Sequence, residues 1–179
     1  LFAYSMKYDP AIYFDLLCQY IEKELRKAQK LGLQLAIRLN GTSDIRWERL
    51  NMRTGKTENT ISEESIIRKY SDVVFYDYTK FPYIARRYSS DWRNDIPNYH
   101  LTYSFNERTL DHPNLEVSDN LIAGRNIAIV FRNEMPKKIK FNGNLVEVID
   151  GDKHDLRLPH VDGTSKFIGL TAKGKAKTD

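Results

Sequence analysis

The sequence predicts an α/β fold, either a partial (β/α) barrel or an open, mainly parallel sheet with a late β-hairpin. Patterns typical of helices and strands alternate through residue 131, as they do in βα units around a parallel sheet. Asn142-Gly143 then lies between two alternating apolar runs, which is a strong hairpin signal. The βα units are too few for a complete eight-stranded barrel.

The first predicted element is a helix that begins at Asp9-Pro10. The aspartate can cap the amino end, and proline suits the first turn. Its apolar residues recur every three or four positions, as one buried helix face requires. These residues are Phe14, Leu17, Ile21, Leu25 and Ala28. Gly32 suits the carboxyl end, because glycine tolerates left-handed backbone geometry.

The next two segments predict a strand and a helix. In LQLAIRLN (33–40), apolar and other residues alternate with a period of two, which is typical of a strand. SEESIIRKY (62–70) predicts a helix with Ser62 as its N-cap and Glu63 and Glu64 in its first turn.

The remaining elements continue the alternation. Further strands are predicted at VVFYD (73–77), YHLTYS (99–104), NIAIVF (126–131) and KFIGL (166–170). Between them we expect a short helix near FPYIARRY (81–88), a helical turn around SDNLIAG (118–124) and the hairpin KIKFNGNLVEV (138–148).

Length and composition predict one α/β domain over residues 1–179. The chain of 179 residues is 41% hydrophobic and 29% charged, which is ordinary for a globular protein. No apolar run approaches the ~20 residues that cross a bilayer. Because the sequence starts at Leu1, without an initiator methionine or signal-like segment, we expect the C-terminal part of a longer chain. Part of the net charge of +4 lies in a basic tail at 171–179.

Polar clusters follow several of the predicted strands. Ligands of α/β folds bind at the carboxyl ends of parallel strands, so the clusters predict a ligand site there. Asp44, Asp77 and Lys80 are the predicted catalytic residues, with a carboxylate as base and the lysine positioning an anion. The predicted ligand-binding residues are Arg38, Asn40, Ser43, His100, Ser104 and Asp150. The alternative for each residue is the ordinary polarity of turns.

The segment DGDKHDLRLPH (150–160) is the densest cluster of acidic residues and histidine. Carboxylate oxygens and an imidazole nitrogen together suit Mg, Mn, Zn or Fe(II), which makes Asp152, His154 and Asp155 predicted metal ligands. The spacing is not that of an EF-hand. An acidic turn without metal is the alternative, because such turns are common.

Other familiar chemistry has no counterpart in the sequence. It contains no G-x-S-x-G, H-E-x-x-H, G-x-G-x-x-G or P-loop pattern. The single cysteine, Cys18, cannot form an internal disulfide or a cysteine-based metal site, and we expect it to be a small buried hydrophobe.

Five segments in fixed order resemble a family of uncharacterised phage-encoded proteins. They are AIRLNGTSDIRWE (36–48), FYDYTK (75–80), NYHLTYSF (98–105), VIDGDKHDLR (148–157) and FIGLTAKGKAK (167–177). Members of that family carry an upstream cysteine-rich segment that this sequence lacks, and its layout is loosely similar to that of radical S-adenosylmethionine barrels. The resemblance implies an iron–sulfur cluster and S-adenosylmethionine as cofactors where the upstream segment is present.

Three functional hypotheses follow from the sequence. The first is a metal- or iron–sulfur-dependent, radical-SAM-like enzyme that acts on an anionic ligand or nucleotide at the strand ends. The second is a non-enzymatic module that binds nucleic acid or a host protein through the basic tail, Arg86, Arg87 and Lys137–Lys138. A structural role in the virion is the third. In each case we expect a protein of the infected bacterial cytoplasm that does not enter the membrane.

Overall fold

The computed structural model of the protein describes residues 9–81, 96–106 and 113–174. The predicted helix near 81–88, the arginines at 86 and 87, and the end of the basic tail lie outside these ranges. No helix in the described part of the chain combines the length and the apolar character needed to cross a membrane.

Four helices and seven strands make up the described structure. The helices are α1 (Pro10–Lys30), α2 (Ile66–Lys69), α3 (Pro113–Ile122) and α4 (Pro159–Asp162). The strands are β1 (Ala36–Ile37), β2 (Val74–Thr79), β3 (Tyr99–Ser104), β4 (Ile127–Phe131), β5 (Lys138–Phe141), β6 (Asn144–Asp150) and β7 (Phe167–Thr171).

The strands form one open sheet in the order β1-β2-β3-β4-β7-β6-β5. The β1/β2, β3/β4, β4/β7 and β6/β7 pairs are parallel, and the β5/β6 pair is antiparallel. The predicted α/β class, with an open, mainly parallel sheet and a late hairpin, is therefore confirmed. The last strand, β7, inserts between β4 and β6, which the linear order of elements did not reveal.

The chain divides within β2 into two compact units, which we call unit 1 (residues up to Phe75) and unit 2 (residues from Tyr76). The prediction of a single domain stays a prediction.

In unit 1, α1 begins where the sequence predicts. Asp9 Oδ1 accepts a hydrogen bond from Ile12 N at 3.2 Å, and Pro10 occupies the first turn. Gly32, with φ of 64°, follows the end of the helix. The inward face of α1 is formed by Phe14, Cys18, Ile21 and Ala28, all buried.

Two unit 1 predictions need correction. The strand predicted over 33–40 has only two paired residues, Ala36–Ile37, because Asn40 draws the following chain into a hydrogen-bonded loop. The second helix starts later than expected, since Ser65, not Ser62, is its N-cap, accepting from Arg68 N at 3.3 Å. Ser62 instead holds a turn by accepting from Glu64 N.

In unit 2, one hydrophobic cluster lies between α3 and the sheet. Its buried members are Tyr103, Val117, Ile127 and Phe167. Phe141 from the hairpin meets Phe167 edge to face, with 6.4 Å between ring centroids. The hairpin turn has positive φ at both Asn142 (48°) and Gly143 (81°), as two-residue loops between twisted strands require.

Candidate ligand cavity

A cavity of about 240 Å³ in unit 2 lies at the amino-terminal ends of β3, β4 and β7. One part of its wall is apolar, formed by Ile96, Pro97, Leu101, Leu158 and Pro159. The other part is polar or backbone-rich, formed by Tyr99, His100, Thr102, Gly124, Arg125, Asn126, Arg157, Gly163 and Thr164. The described lining residues thus include two arginines and a histidine but no aspartate or glutamate.

The end of α3 positions Arg125. Gly124 adopts a φ of 73°, which turns the chain after the helix. Arg125 N then donates to Asn120 O at 2.9 Å, closing the turn just before β4. Arg125 is largely buried. Its place between a helix-ending glycine and a strand therefore puts a cationic side chain in the cavity wall.

Asn126 joins the segments that precede β4 and β7. Its Nδ2 donates to Gly163 O at 2.9 Å, and its Oδ1 accepts from Lys166 N at 3.0 Å. These bonds hold the Gly163 region of the wall against the start of β4. The wall is therefore fixed by bonds inside unit 2 and does not depend on a ligand for its position.

All three guanidinium nitrogens of Arg157 donate to protein acceptors. Its Nε donates to Tyr78 Oη at 2.9 Å and its Nη1 to Asp162 Oδ1 at 2.8 Å. Its Nη2 donates to Gly151 O at 2.8 Å and also to His154 O. Both side chains of the Arg157–Asp162 ion pair are buried, so this arginine fixes the crossover between β6 and β7.

His154 lies close to this ion pair. Its Nδ1 is 3.0 Å from Leu156 O, and because a carbonyl can only accept, Nδ1 carries the proton. Its Nε2 is 4.0 Å from Asp162 Oδ1. Asp162 Oδ2 is buried without a hydrogen-bond partner among the described residues.

Of the predicted ligand-binding residues, His100 lines the cavity. Ser104, at the other end of β3, is half-buried, and its carbonyl accepts from Asn106 Nδ2 at 3.2 Å. Asp150 Oδ1 accepts from Asp152 N at 3.0 Å, as in an acidic turn. The cavity therefore lies at the opposite ends of the strands from those the fold class favours.

The predicted catalytic residue Asp77 is fully buried in β2. Its Oδ2 accepts a hydrogen bond from Tyr99 Oη at 3.1 Å. Successive side chains of a strand point to opposite faces, so His100 points away from the face on which Tyr99 meets Asp77. Lys80 follows β2 and is exposed. The structure thus does not bring Asp77 and His100 together, but it connects Asp77 to a residue of the cavity wall.

The predicted residues of unit 1 belong to one loop, which we call the Asn40 loop (residues 38–47). Asn40 is buried; its Oδ1 accepts from Ser43 Oγ, Ile45 N and Trp47 Nε1 at 2.9–3.0 Å. Its Nδ2 donates to Ile45 O at 2.9 Å, and Arg38 Nε donates to Asn40 O at 3.2 Å. Asp44 is half-buried in the same loop. The asparagine therefore organises the loop.

Two of the predicted metal ligands, Asp152 and His154, have protein partners in the structure. Asp152 Oδ2 accepts from Thr171 N at 2.8 Å, and Lys173 Nζ lies 3.1 Å from Asp152 Oδ1. Hydrogen bonds from Thr171 and then Lys173 lower the pKa of Asp152 to about 2. Within the described ranges, no group of three or more His, Cys, Asp or Glu side chains is placed to hold a metal ion. The metal site at Asp152, His154 and Asp155 stays a prediction.

The family model described as gene product 88 matches residues 3–179 of the chain. The chain belongs to the gene product 88 family. The match spans nearly the whole chain and agrees with the phage-type family that the ordered segments resemble. No curated protein and no solved structure matches the chain.

Sequence reasoning missed Arg125, Asn126, Arg157 and Thr164 as lining residues. The signal was present: Arg125-Asn126 lies between a helix-ending glycine and an apolar strand. This pattern did not lead to a predicted site, because ligands of α/β folds are expected at the carboxyl ends of the strands and Arg125-Asn126 precedes a strand.

Proposed function

We propose that this protein binds a small organic anion, carrying a phosphate or carboxylate group, in the unit 2 cavity. The observation that carries the proposal is the lining: two arginines and a histidine, with no aspartate or glutamate among the described lining residues. Arginine is well suited to both anions, because its planar donors match their oxygens.

The two arginines have different parts in the proposal. The charge of Arg157 is offset by Asp162 at 2.8 Å, and its donors are engaged within the protein. We assign contact with the anionic group to Arg125 and His100, the other basic residues of the lining. The apolar wall, with Leu101, Leu158 and Pro159, would contact the organic body of the ligand. A mononucleotide is the first ligand class to test.

Thermal unfolding with a panel of ligands tests the proposal. Inorganic phosphate, acetate and adenosine monophosphate are compared with uncharged adenosine at one ionic strength. A ligand that binds the folded state raises the melting temperature, so at least one anion should raise it while adenosine should not. The proposal fails if the anions have no effect at millimolar concentration.

Variants locate the effect. Arg125→Gln and His100→Gln should each reduce the anion-dependent shift, whereas Arg132→Gln, at an exposed arginine outside the cavity, should keep it. His100→Gln provides a second reading should Arg125→Gln fold poorly, because Arg125 is the more buried of the two. An equal shift in all three variants would place the anion elsewhere.

An enzymatic role is the second candidate, and one observation favours it. Tyr99 lines the cavity and donates to the buried Asp77 carboxylate, so a predicted catalytic base is one hydrogen bond from the ligand. The isosteric change Asp77→Asn tests this. It should leave anion binding intact while stopping conversion of the bound nucleotide, followed by mass spectrometry of the mixture. Asp44 and Lys80 are not among the lining residues of this cavity, so their roles as base and anion-positioning residue stay predictions outside this proposal.

The cofactor implied by the family resemblance does not fit these residues. An iron–sulfur cluster is held by several cysteine thiolates. The 179 residues contain one cysteine, and Cys18 is buried in α1, where Lys69 Nζ lies 3.3 Å from its sulfur. No step of the proposed function therefore passes through a cluster or S-adenosylmethionine.

Nucleic-acid binding differs from the cavity proposal in its salt dependence. Lys137, Lys138 and Lys140 are exposed on and beside the hairpin strand β5, and they are the described cations that favour this alternative. Phosphate contacts release counterions, so affinity for an oligonucleotide would fall steeply with salt. Binding of one small anion in the cavity should respond far less. Binding of a host protein in the bacterial cytoplasm is a further proposal, in which the same lysines would contact the partner.

A further inference from the structure

Helix α1 has an apolar stripe on its outward side as well as its buried inward face. Ile12, Leu16 and Tyr20 are 57%, 60% and 62% exposed. Their spacing of four residues puts all three on one side of the helix. We call these three residues the outer stripe. Single exposed apolar residues are ordinary, but three in a row along one helix indicate a contact surface.

Charged residues flank the outer stripe in a symmetric order. Asp9 lies seven residues before Leu16, and Lys23 lies seven residues after it. Seven residues are about two helical turns, so Lys23 lies on the same side of α1 as Leu16, and the N-cap residue Asp9 lies at the amino end of that side. The stripe is therefore acidic at its amino end, apolar in the middle and basic at its carboxyl end.

We propose that the outer stripe binds the same stripe of a second copy of this chain, with the two α1 helices antiparallel. A two-fold axis at Leu16 places Leu16 against Leu16, Ile12 against Tyr20 and Asp9 against Lys23. Such an isologous contact requires a self-complementary surface. The charge order supplies it: an antiparallel pair brings opposite charges together at both ends, whereas a parallel pair would bring like charges together.

The contact is small. A helix of 21 residues is about 31 Å long, and one helix face contributes an interface at the low end of the range for specific complexes. The dimer should therefore form and dissociate with concentration in the micromolar range. The dimer depends on unit 1 alone and does not require the ligand cavity.

Sedimentation velocity of the 179-residue chain over a concentration series is the test. The wild-type protein should show a concentration-dependent dimer. Leu16→Glu places two carboxylates face to face and should weaken the dimer roughly tenfold or more. Leu145→Glu is the matched control, because Leu145 is also an exposed leucine, at 67%, but lies in the hairpin. A wild-type monomer at every concentration, or equal dimerisation of both variants, would overturn the proposal.

Cysteine cross-linking tests the antiparallel register. Leu16→Cys should form a disulfide-linked dimer under mild oxidation, because residue 16 lies on the two-fold axis. Ile12→Cys alone and Tyr20→Cys alone should link poorly, but a mixture of the two should link well. The wild-type protein, in which Cys18 is buried, is the background control. Efficient linking of Ile12→Cys to itself would overturn the antiparallel arrangement.

Discussion

The Asn40 loop of unit 1 and the cavity of unit 2 are both polar clusters beside strands, yet they differ in what the polar groups do. In the Asn40 loop one buried amide makes four hydrogen bonds to its own loop. In unit 2 the polar groups surround about 240 Å³ of space. Polar residues near a strand end therefore do not by themselves identify a ligand site; the space between them does.

The cavity wall also contains a residue whose role is structural. Arg157 resembles Asn40, because each of its nitrogens donates to a protein acceptor. Arg125 lies in the wall between a helix end and a strand. We therefore expect the predictions below to separate residues that hold the structure from residues that meet a ligand.

The largest expected effect is on Arg157. Arg157→Leu removes the partner of the buried Asp162 and should lower the free energy of unfolding by about 3–5 kcal/mol, because it leaves a buried charge uncompensated. Urea unfolding measures this, with Arg132→Leu at an exposed arginine as control, expected within about 0.5 kcal/mol of wild type. A stable Arg157→Leu protein would mean that the ion pair does not hold the crossover.

Asn40→Ala should be the next most damaging change. It leaves Trp47 Nε1 and Ile45 N without their acceptor, at a cost of about 1–3 kcal/mol. The exposed Asn133→Ala is the control. Anion binding, measured by the thermal shift, should survive in Asn40→Ala. If instead stability is kept and binding is lost, Asn40 is a ligand-binding residue, as its position at the end of a predicted strand indicated.

Gly151 provides a packing test near the Arg157 crossover. A Cβ at this position would lie 2.5 Å from Ile168 Cγ2 and 2.9 Å from Gly169 O. Gly151→Ala should therefore cost about 1–3 kcal/mol through overpacking. Gly41→Ala in the Asn40 loop is the control, since its Cβ would meet nothing within 4 Å. Equal stabilities in urea would show that the β6–β7 region relaxes easily.

The smallest effect concerns pH. The pKa of Asp152 falls from 3.8 to about 2 in the folded protein, so its ionised form stabilises the fold at neutral pH. That contribution is complete above about pH 5 and should be lost progressively as the pH falls through about 2. Asp152→Asn should flatten this part of the stability profile. If the free energy of unfolding of Asp152→Asn falls with decreasing pH as it does in the wild type, Thr171 and Lys173 do not stabilise the ionised Asp152 carboxylate in solution.

The sequence predicts most of the architecture because short-range rules determine it. Asp9-Pro10 sets the start of α1, Asn142-Gly143 sets the hairpin turn, and β3 has its predicted bounds. The short β1 was not predictable, since its alternating pattern extends to residue 40. Only the tertiary hydrogen bonds of Asn40 show where pairing ends.

The candidate site was harder to predict than the fold. Arg125 and Arg157 are 32 positions apart in sequence, and both line the cavity because β7 pairs between β4 and β6. That pairing depends on long-range contacts, which no local pattern specifies. The rule that ligands bind at carboxyl strand ends led to predicted residues at the opposite ends of the strands from the cavity. His100, which lies within β3, is both a predicted ligand-binding residue and a lining residue of the cavity.

Residue-resolved NMR titration tests the central proposal most directly. Amide spectra of the ¹⁵N-labelled protein are recorded with increasing inorganic phosphate, acetate or adenosine monophosphate at constant ionic strength. We predict saturable shifts for at least one anion at Gly124, Arg125, Gly163 and Thr164, with Gly41 and Asp44 unchanged. Saturable shifts centred on the Asn40 loop, or no saturable shifts at the cavity with any of the three anions, would contradict the proposal.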